Sequence, residues 1–208
     1  MANSEQQLAH NPMMYPFEIH LTTRELSADQ LASFVQACDY LAAKPLLIEL
    51  AQGSSTTQPM LSKVVHQSNL DAALAAAAAA ADYLERQHLS AVRVKIETPA
   101  SYAHLATPGG GAAFRPYFEW HGKVPYQQVE VLLALCAEHR AHLSVNALKH
   151  NGTTRFVTLR EFGDAAIFQA RVAALTAALH PQWPLLKQES ECCVYDSNTT
   201  LDAGWLPQ

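Results

Sequence analysis

A Phe-Glu-x-His strand occurs twice in this chain, as Phe17-Glu18-Ile19-His20 and again as Phe118-Glu119-Trp120-His121. A segment recurring after about a hundred residues constrains the fold more than any other feature, because each copy must build the same supersecondary unit. The next segment of each half supports the repeat. Leu31, Phe34, Val35 and Cys38 recur as Val129, Leu132, Leu133 and Cys136, the i, i+3, i+4, i+7 stripe of an amphipathic helix. The strands are offset by 101 residues and the stripes by 98, so the second half has the shorter connection. Such a difference belongs in a loop, where insertions cost little.

Signals along each half predict the order β-α-β-β-α-β. In the first, a strand at 17–22 precedes a helix opened by the capping box Ser27-x-x-Gln30 and running to Ala42. Strands at 46–51 and 60–65 follow, then a helix capped by Ser68 and carried by the alanine run 72–81, then a strand at 92–97. In the second, strands are expected at 117–123, 141–147, 154–160 and 186–195, with helices at 126–139 and 164–179. Asn151-Gly152 signals a type I′ hairpin between the middle strands. The expected fold class is therefore α+β, a tandem duplicated ferredoxin-like protein whose antiparallel sheets carry helices on one face and leave the other open. A flexible tail (1–14), repeat 1 (15–98), a Gly/Pro-rich linker (99–115) and repeat 2 with a C-terminal extension (116–208) are the expected divisions.

That fold decides which side chains meet. Phe17, Ile19, Phe118 and Trp120 belong on the helix side, so Glu18, His20, Glu119, His121 and Lys123 stand on the opposite face. In the second half Ser144, Asn146, Thr158, Arg160, Glu189 and Glu191 share that face by parity, against a thinner first-half set of Glu49, Ser62, Arg93, Lys95 and Glu97. The candidate catalytic residues are therefore His121 and Glu119 with His20 and Glu18 as their counterparts, and the candidate ligand-binding residues are Lys123, Ser144, Asn146 and Arg160. A carboxylate beside a histidine fixes its tautomer and tunes it as a base near neutral pH, while a cation stabilises developing negative charge. Two His and two Glu would also suit a divalent metal, but that requires the two sheets to face one another closely. Acid–base or anion-binding chemistry without a metal is the preferred expectation, and the sequence names no cofactor.

Composition narrows the partners. The 208 residues are 49% apolar with a formal net charge of −5, which gives no electrostatic footprint for nucleic acid or an anionic membrane. No apolar run reaches spanning length and the opening residues lack a signal-peptide pattern, so a cytoplasmic location is expected. Cys38 and Cys136 sit on buried stripes, while Cys192 and Cys193 are adjacent and so point to opposite faces of a strand; none has the spacing of a metal or disulfide motif. Asp196, Asn198 and Asp202 follow the last strand as turn chemistry or as a polar rim to a cleft, and Leu201, Trp205 and Leu206 are expected to pack back on the body.

Two resemblances add to this reading. His20-Leu21-Thr22 and His142-Leu143-Ser144 resemble the paired His-x-Thr/Ser motifs of the 2H phosphoesterases, which implies a phosphate-ester substrate attacked between two histidines. The match covers six residues and crosses the repeat, since the counterpart of His20 is His121. Tyr117-Phe118-Glu119-Trp120-His121-Gly122-Lys123, Tyr195-Asp196-Ser197-Asn198 and Leu201-Asp202-Ala203-Gly204-Trp205 resemble the signature blocks of an uncharacterised bacterial protein family with no known activity. That pattern has a second His and an Arg where this chain has Trp120 and Val145. The functions left standing are a small-molecule or phosphate-ester enzyme or binder on the Glu-x-His strands, a non-catalytic regulatory module, and a scaffold that forms homo-oligomers through its open sheet faces.

Overall fold

In the computed structural model, which describes residues 13–51, 53, 55–106, 114–149 and 152–204, both halves follow the order strand, helix, two strands, helix, strand. The first half comprises β1 (Tyr15–Thr23), α1 (Ala28–Tyr40), β2 (Lys44–Leu50), β3 (Thr57–Gln67), α2 (Leu70–Arg86) and β4 (Ala91–Pro99). The second comprises β5 (Tyr117–Pro125), α3 (Val129–Glu138), β6 (Ala141–Asn146), β7 (Thr154–Glu161), α4 (Ala165–Leu179) and β8 (Lys187–Asp196). Short 3₁₀ segments follow β4 and β8 at Ala100–Leu105 and Thr199–Asp202.

The expectation of two ferredoxin-like lobes with open sheets is corrected by how the strand edges pair. The strands form one closed antiparallel barrel in the order β1-β3-β2-β6-β7-β5-β8-β4. Two seams join the halves. β2 pairs with β6 from Ile48–Asn146 to Leu50–Ser144, and β4 pairs with β8 from Lys95–Asp196 to Pro99–Glu191. Closure pairs the outer strand of each half with a strand of the other, where an open sheet would present an edge prone to association. Hairpin and capping signals are local, whereas edge-to-edge pairing joins residues about a hundred positions apart and leaves no local mark. The sheet faces expected to stand open instead line the barrel interior.

The apolar cores lie outside the barrel wall. Phe17, Ile19, Leu21, Leu61 and Ile96 pack beneath α1 and α2 with Phe34, Cys38 and the alanines Ala73, Ala77 and Ala80. Trp120, Val124, Leu143, Val157 and Leu159 pack beneath α3 and α4 with Leu132, Phe168 and Leu175. The alanine run of α2 lets that helix lie close on the sheet, because Ala has the highest helix propensity and little bulk. At the head of α1 the capping box forms as expected, Ser27 Oγ accepting from Gln30 N at 3.3 Å and Gln30 Oε1 from Ser27 N at 3.0 Å. α2 is capped by Asn69 rather than Ser68, its Oδ1 accepting from Ala72 N at 2.9 Å. α3 starts later than expected, after Gln128 in a left-handed conformation (φ 48°), and Leu133 of its stripe is exposed.

Trp120 also explains a glycine. Its indole lies across Gly122 two residues along β5, so that a Cβ there would overlap the ring, while Nε1 donates to Gln188 Oε1 at 3.1 Å. Asn151, residues 107–113 of the Gly/Pro-rich linker, Trp205 and Leu206 lie outside the described residues. All four cysteines are free and buried. Cys192 belongs to the first-half core, and burial raises the thiols of Cys38 and Cys136 to about 12.

Candidate functional site

With the apolar side chains turned out towards the helices, the alternate residues of every strand point into the barrel, where they surround a cavity of about 210 Å³. Both Glu-x-His pairs line it: Glu18 and His20 from β1, Glu119 and His121 from β5. Ser144, Asn146, Thr158 and Arg160 line it as the parity argument expected. Lys123 does not, since the cavity wall on β5 ends at His121. Glu49 is exposed, because the odd-even alternation of β2 gives Leu46, Ile48 and Leu50 to the cavity instead. His142 lies beside Thr158 on the ladder and is not among the lining residues; burial and the charge of Arg160 lower its pKa.

The polar wall is an ion-pair lattice across both halves. Arg93 donates from Nε and Nη2 to Asp196 and from Nη1 and Nη2 to Asp202. Arg160 donates from Nε to Glu119 Oε1 at 2.8 Å and from Nη2 to Asp202 Oδ2. Asp202 therefore joins an arginine of β4 to an arginine of β7, which fixes the C-terminal 3₁₀ segment over one end of the barrel. Tyr117 completes this end, donating to Asp196 at 2.8 Å while the Arg160 guanidinium stacks 4.2 Å from its ring centre. Unpaired, such buried charges would each cost several kcal/mol.

Lys95 holds the centre. Its Nζ lies 2.6 Å from Glu119 Oε2 and 2.8 Å from Glu97 Oε1, the second contact an ion pair whose angle does not make it a hydrogen bond. Ligand atoms of Glu97, Glu119 and His121 fall within 4.8 Å of one another, a spacing suited to a divalent cation. The Lys95 ammonium already stands between the two carboxylates, so the cage as arranged holds an internal cation.

The histidines take their settings from this lattice. His20 Nε2 is 3.0 Å from Glu97 Oε2 and 3.7 Å from Glu18 Oε1, while its buried Nδ1 has no hydrogen-bond partner among the described residues. His121 Nδ1 meets Thr158 Oγ1 at 3.0 Å, and Nε2 lies 3.4 Å from Glu119 and 3.7 Å from Glu191. Burial works against both imidazoliums, but hydrogen bonding to Glu97 raises His20, and the bond and charge of Glu119 raise His121 to about 9. Among the carboxylates, burial would raise Glu97, yet the Lys95 ammonium and the His20 contact hold it at about 2. Glu119 is held well below the usual range because Lys95 and Arg160 outweigh its burial. Glu191 goes the other way: burial and the negative charge of Glu97 push it up to about 7 despite His121.

Sequence reasoning passed over part of this site. The apolar wall of Leu46, Ile48, Leu50, Met60 and Phe156 comes from strands that face the ion lattice only after closure. Asp202 was detectable as the acidic member of the Leu-Asp-x-Gly-Trp block, but nothing local placed it between two arginines.

No family model and no curated protein matches the chain. Among solved structures, a putative chlorite dismutase is similar over 86% of this chain and 94% of its own, at 11% identity and a TM-score of 0.30. Two variants of the chlorite dismutase of Candidatus Nitrospira defluvii are similar at 14% identity, with TM-scores of 0.29 and 0.28 and 86% and 90% of this chain covered. They cover 90% and 92% of those chains. Likenesses at these scores carry no argument about function. Among the described residues, no helix is long and apolar enough to cross a membrane.

Proposed function

We propose that the barrel interior is a small-molecule site with acid–base capability, worked by His121 with Glu191 and assisted by His20. The observation that carries this reading is that one cavity is lined by both Glu-x-His pairs, with two neighbouring titratable groups set differently at neutral pH. His121, oriented by Thr158 and held protonated by Glu119, is the proton donor. Glu191, poised near neutrality, accepts or returns a proton on the same wall. The arginines are saturated by Asp196, Asp202 and Glu119, so they position the wall rather than receive a ligand anion. That favours a neutral or cationic substrate over a phosphate ester.

A thermal-shift screen of common metabolites against the wild type and His121→Ala tests the proposal. At least one compound is expected to stabilise the wild type, by about 2.7 kcal/mol at a hundredfold excess over Kd, and to lose its effect in the variant. A shift that survives in His121→Ala, or a screen in which no compound moves the wild type, would falsify it.

A further inference from the structure

One buried side chain of the barrel wall offers donors that the protein does not use. Asn146 ends β6, lines the cavity and is only 5% exposed. Its Oδ1 accepts from the backbone N–H groups of Leu47 and Leu148, both at 3.1 Å. An amide oxygen can only accept and an amide nitrogen can only donate, so these two donors fix which end of the side chain is which. Nδ2 is the end left over, and among the described residues it has no hydrogen-bond partner. Buried polar groups are nearly always satisfied, so a fixed amide with two idle N–H donors on a cavity wall marks a place for a ligand acceptor.

The surroundings define the rest of that ligand. Ile48 stands directly opposite Asn146 across the β2–β6 seam, and Leu46, Leu50, Met60 and Phe156 complete an apolar wall on the same side of the barrel. On the facing wall each charge is already matched within the protein. Arg93, Lys95 and Arg160 stand against Asp196, Asp202, Glu97 and Glu119. The His20 and His121 rings stand against Glu18, Glu97, Glu119 and Glu191. Lys149 and Glu189 line the cavity at its rim, where both are exposed and screened by solvent. No internal charge is left to call for an ionic ligand.

We infer that the cavity takes a neutral carbonyl compound with a short apolar body, its oxygen accepting from Asn146 Nδ2 and its body lying on the wall of Leu46, Ile48, Met60 and Phe156. This rests on reading the interior as a small-molecule site, and it names the substrate class for that site. A carbonyl oxygen carries lone pairs and no proton, which suits a group that can only donate. Asn146 is then the specificity-determining residue, because a site built to hydrogen-bond a ligand oxygen rejects the analogue without one. Holding the seam does not by itself require an amide, since an aspartate would offer the same oxygen to Leu47 and Leu148.

Isothermal titration calorimetry of the full chain with cyclohexanone and methylenecyclohexane tests this, because the two share a shape and differ in the oxygen. Cyclohexanone is expected to bind about tenfold more tightly, the cost of leaving a buried donor unmet in the other complex. Asn146→Asp keeps an acceptor for the two backbone groups but removes the donors, and is expected to abolish that preference. In isotope-labelled wild type the side-chain amide protons of Asn146 are expected to shift on adding cyclohexanone and to stay in place with methylenecyclohexane, a readout independent of whether the variant folds. Equal affinity for the two probes, a preference that survives in Asn146→Asp, or unmoved amide protons would each overturn the assignment, while binding of either probe leaves the cavity reading standing. If neither binds, both fall. Tighter binding of cyclohexylammonium or cyclohexanecarboxylate than of cyclohexanone would overturn the neutral class.

Discussion

Glu18 and Glu119 occupy the same place in the same strand motif, yet one is a partly exposed acid of the cavity wall and the other a buried keystone. The difference lies in the neighbouring strands. Across β1 the partner of Glu18 on β3 is Val64, whereas across β5 the partner of Glu119 on β7 is Arg160. On the other side, Glu18 faces Glu97 and Glu119 faces Glu191, and these two acids also diverge, Glu97 lying at about 2 and Glu191 at about 7. One step along the ladder, His20 faces Lys95 where His121 faces Glu189. A repeated motif therefore sets where a side chain stands, and the unrepeated residues on the flanking strands set its charge state.

The largest expected effect comes from removing the unrepeated partner. Arg160→Leu strands Glu119 and Asp202, both 1% exposed, without their shared guanidinium. A loss of about 3–5 kcal/mol in urea unfolding is expected, with Glu119→Gln in the same range because it deprives Lys95 and Arg160 together. Glu18→Gln, with its side chain 29% exposed and no fixed cation to abandon, is expected to cost no more than about 1 kcal/mol. Equal losses for Glu18→Gln and Glu119→Gln would show that the motif outweighs its neighbours.

A smaller effect separates Glu191 from Glu97 by sign. The raised value of Glu191 means that the folded chain keeps a proton which the unfolded chain releases above about pH 4.5. Its ionisation therefore costs stability as pH rises towards 7, and the full cost remains above that. Glu191→Gln is expected to be more stable than wild type at pH 8, by about 2 kcal/mol after allowing for partial exposure, with the gain vanishing near pH 4. Glu97, with its value lowered, contributes stability present above about pH 4.5 and lost as pH falls towards 2, so Glu97→Gln should destabilise at pH 8. Unfolding free energies across pH decide it; the same sign for both substitutions at pH 8 defeats the argument.

Much of the wall was legible before the structure, and little of the enclosure. Strict alternation in Phe17-Glu18-Ile19-His20 and its repeat assigned inward and outward faces, and the same parity brought Ser144, Asn146 and Arg160 to the right side. The local signals at Ser27 and Gln30 had a physical partner three residues away. Closure rests instead on short seams such as Ile48–Asn146 to Leu50–Ser144, built from side chains that would serve equally well at a free edge. Lys123 was misplaced for a related reason, because parity describes a face but not how far along the strand a cavity reaches. Asp202, reached through a turn after β8, has no periodicity to betray that it joins Arg93 and Arg160.

The comparison is sharpened most finely by giving the second half the cation that the first half has. Glu189 stands opposite His121 as Lys95 stands opposite His20, so Glu189→Lys places an ammonium at the corresponding point of β8. Glu189 is exposed, its side chain half open to solvent beside Lys187, so the new charge is screened. Glu191 is expected to move towards acid by about half a pH unit, the scale of a surface pair rather than of the buried Lys95–Glu97 contact. Carboxyl carbon chemical shifts of Glu191 followed through a pH titration measure this directly. If Glu191 does not move, the contrast with Glu97 comes from depth in the barrel rather than from the neighbouring charge, and the flanking-strand account fails at this position.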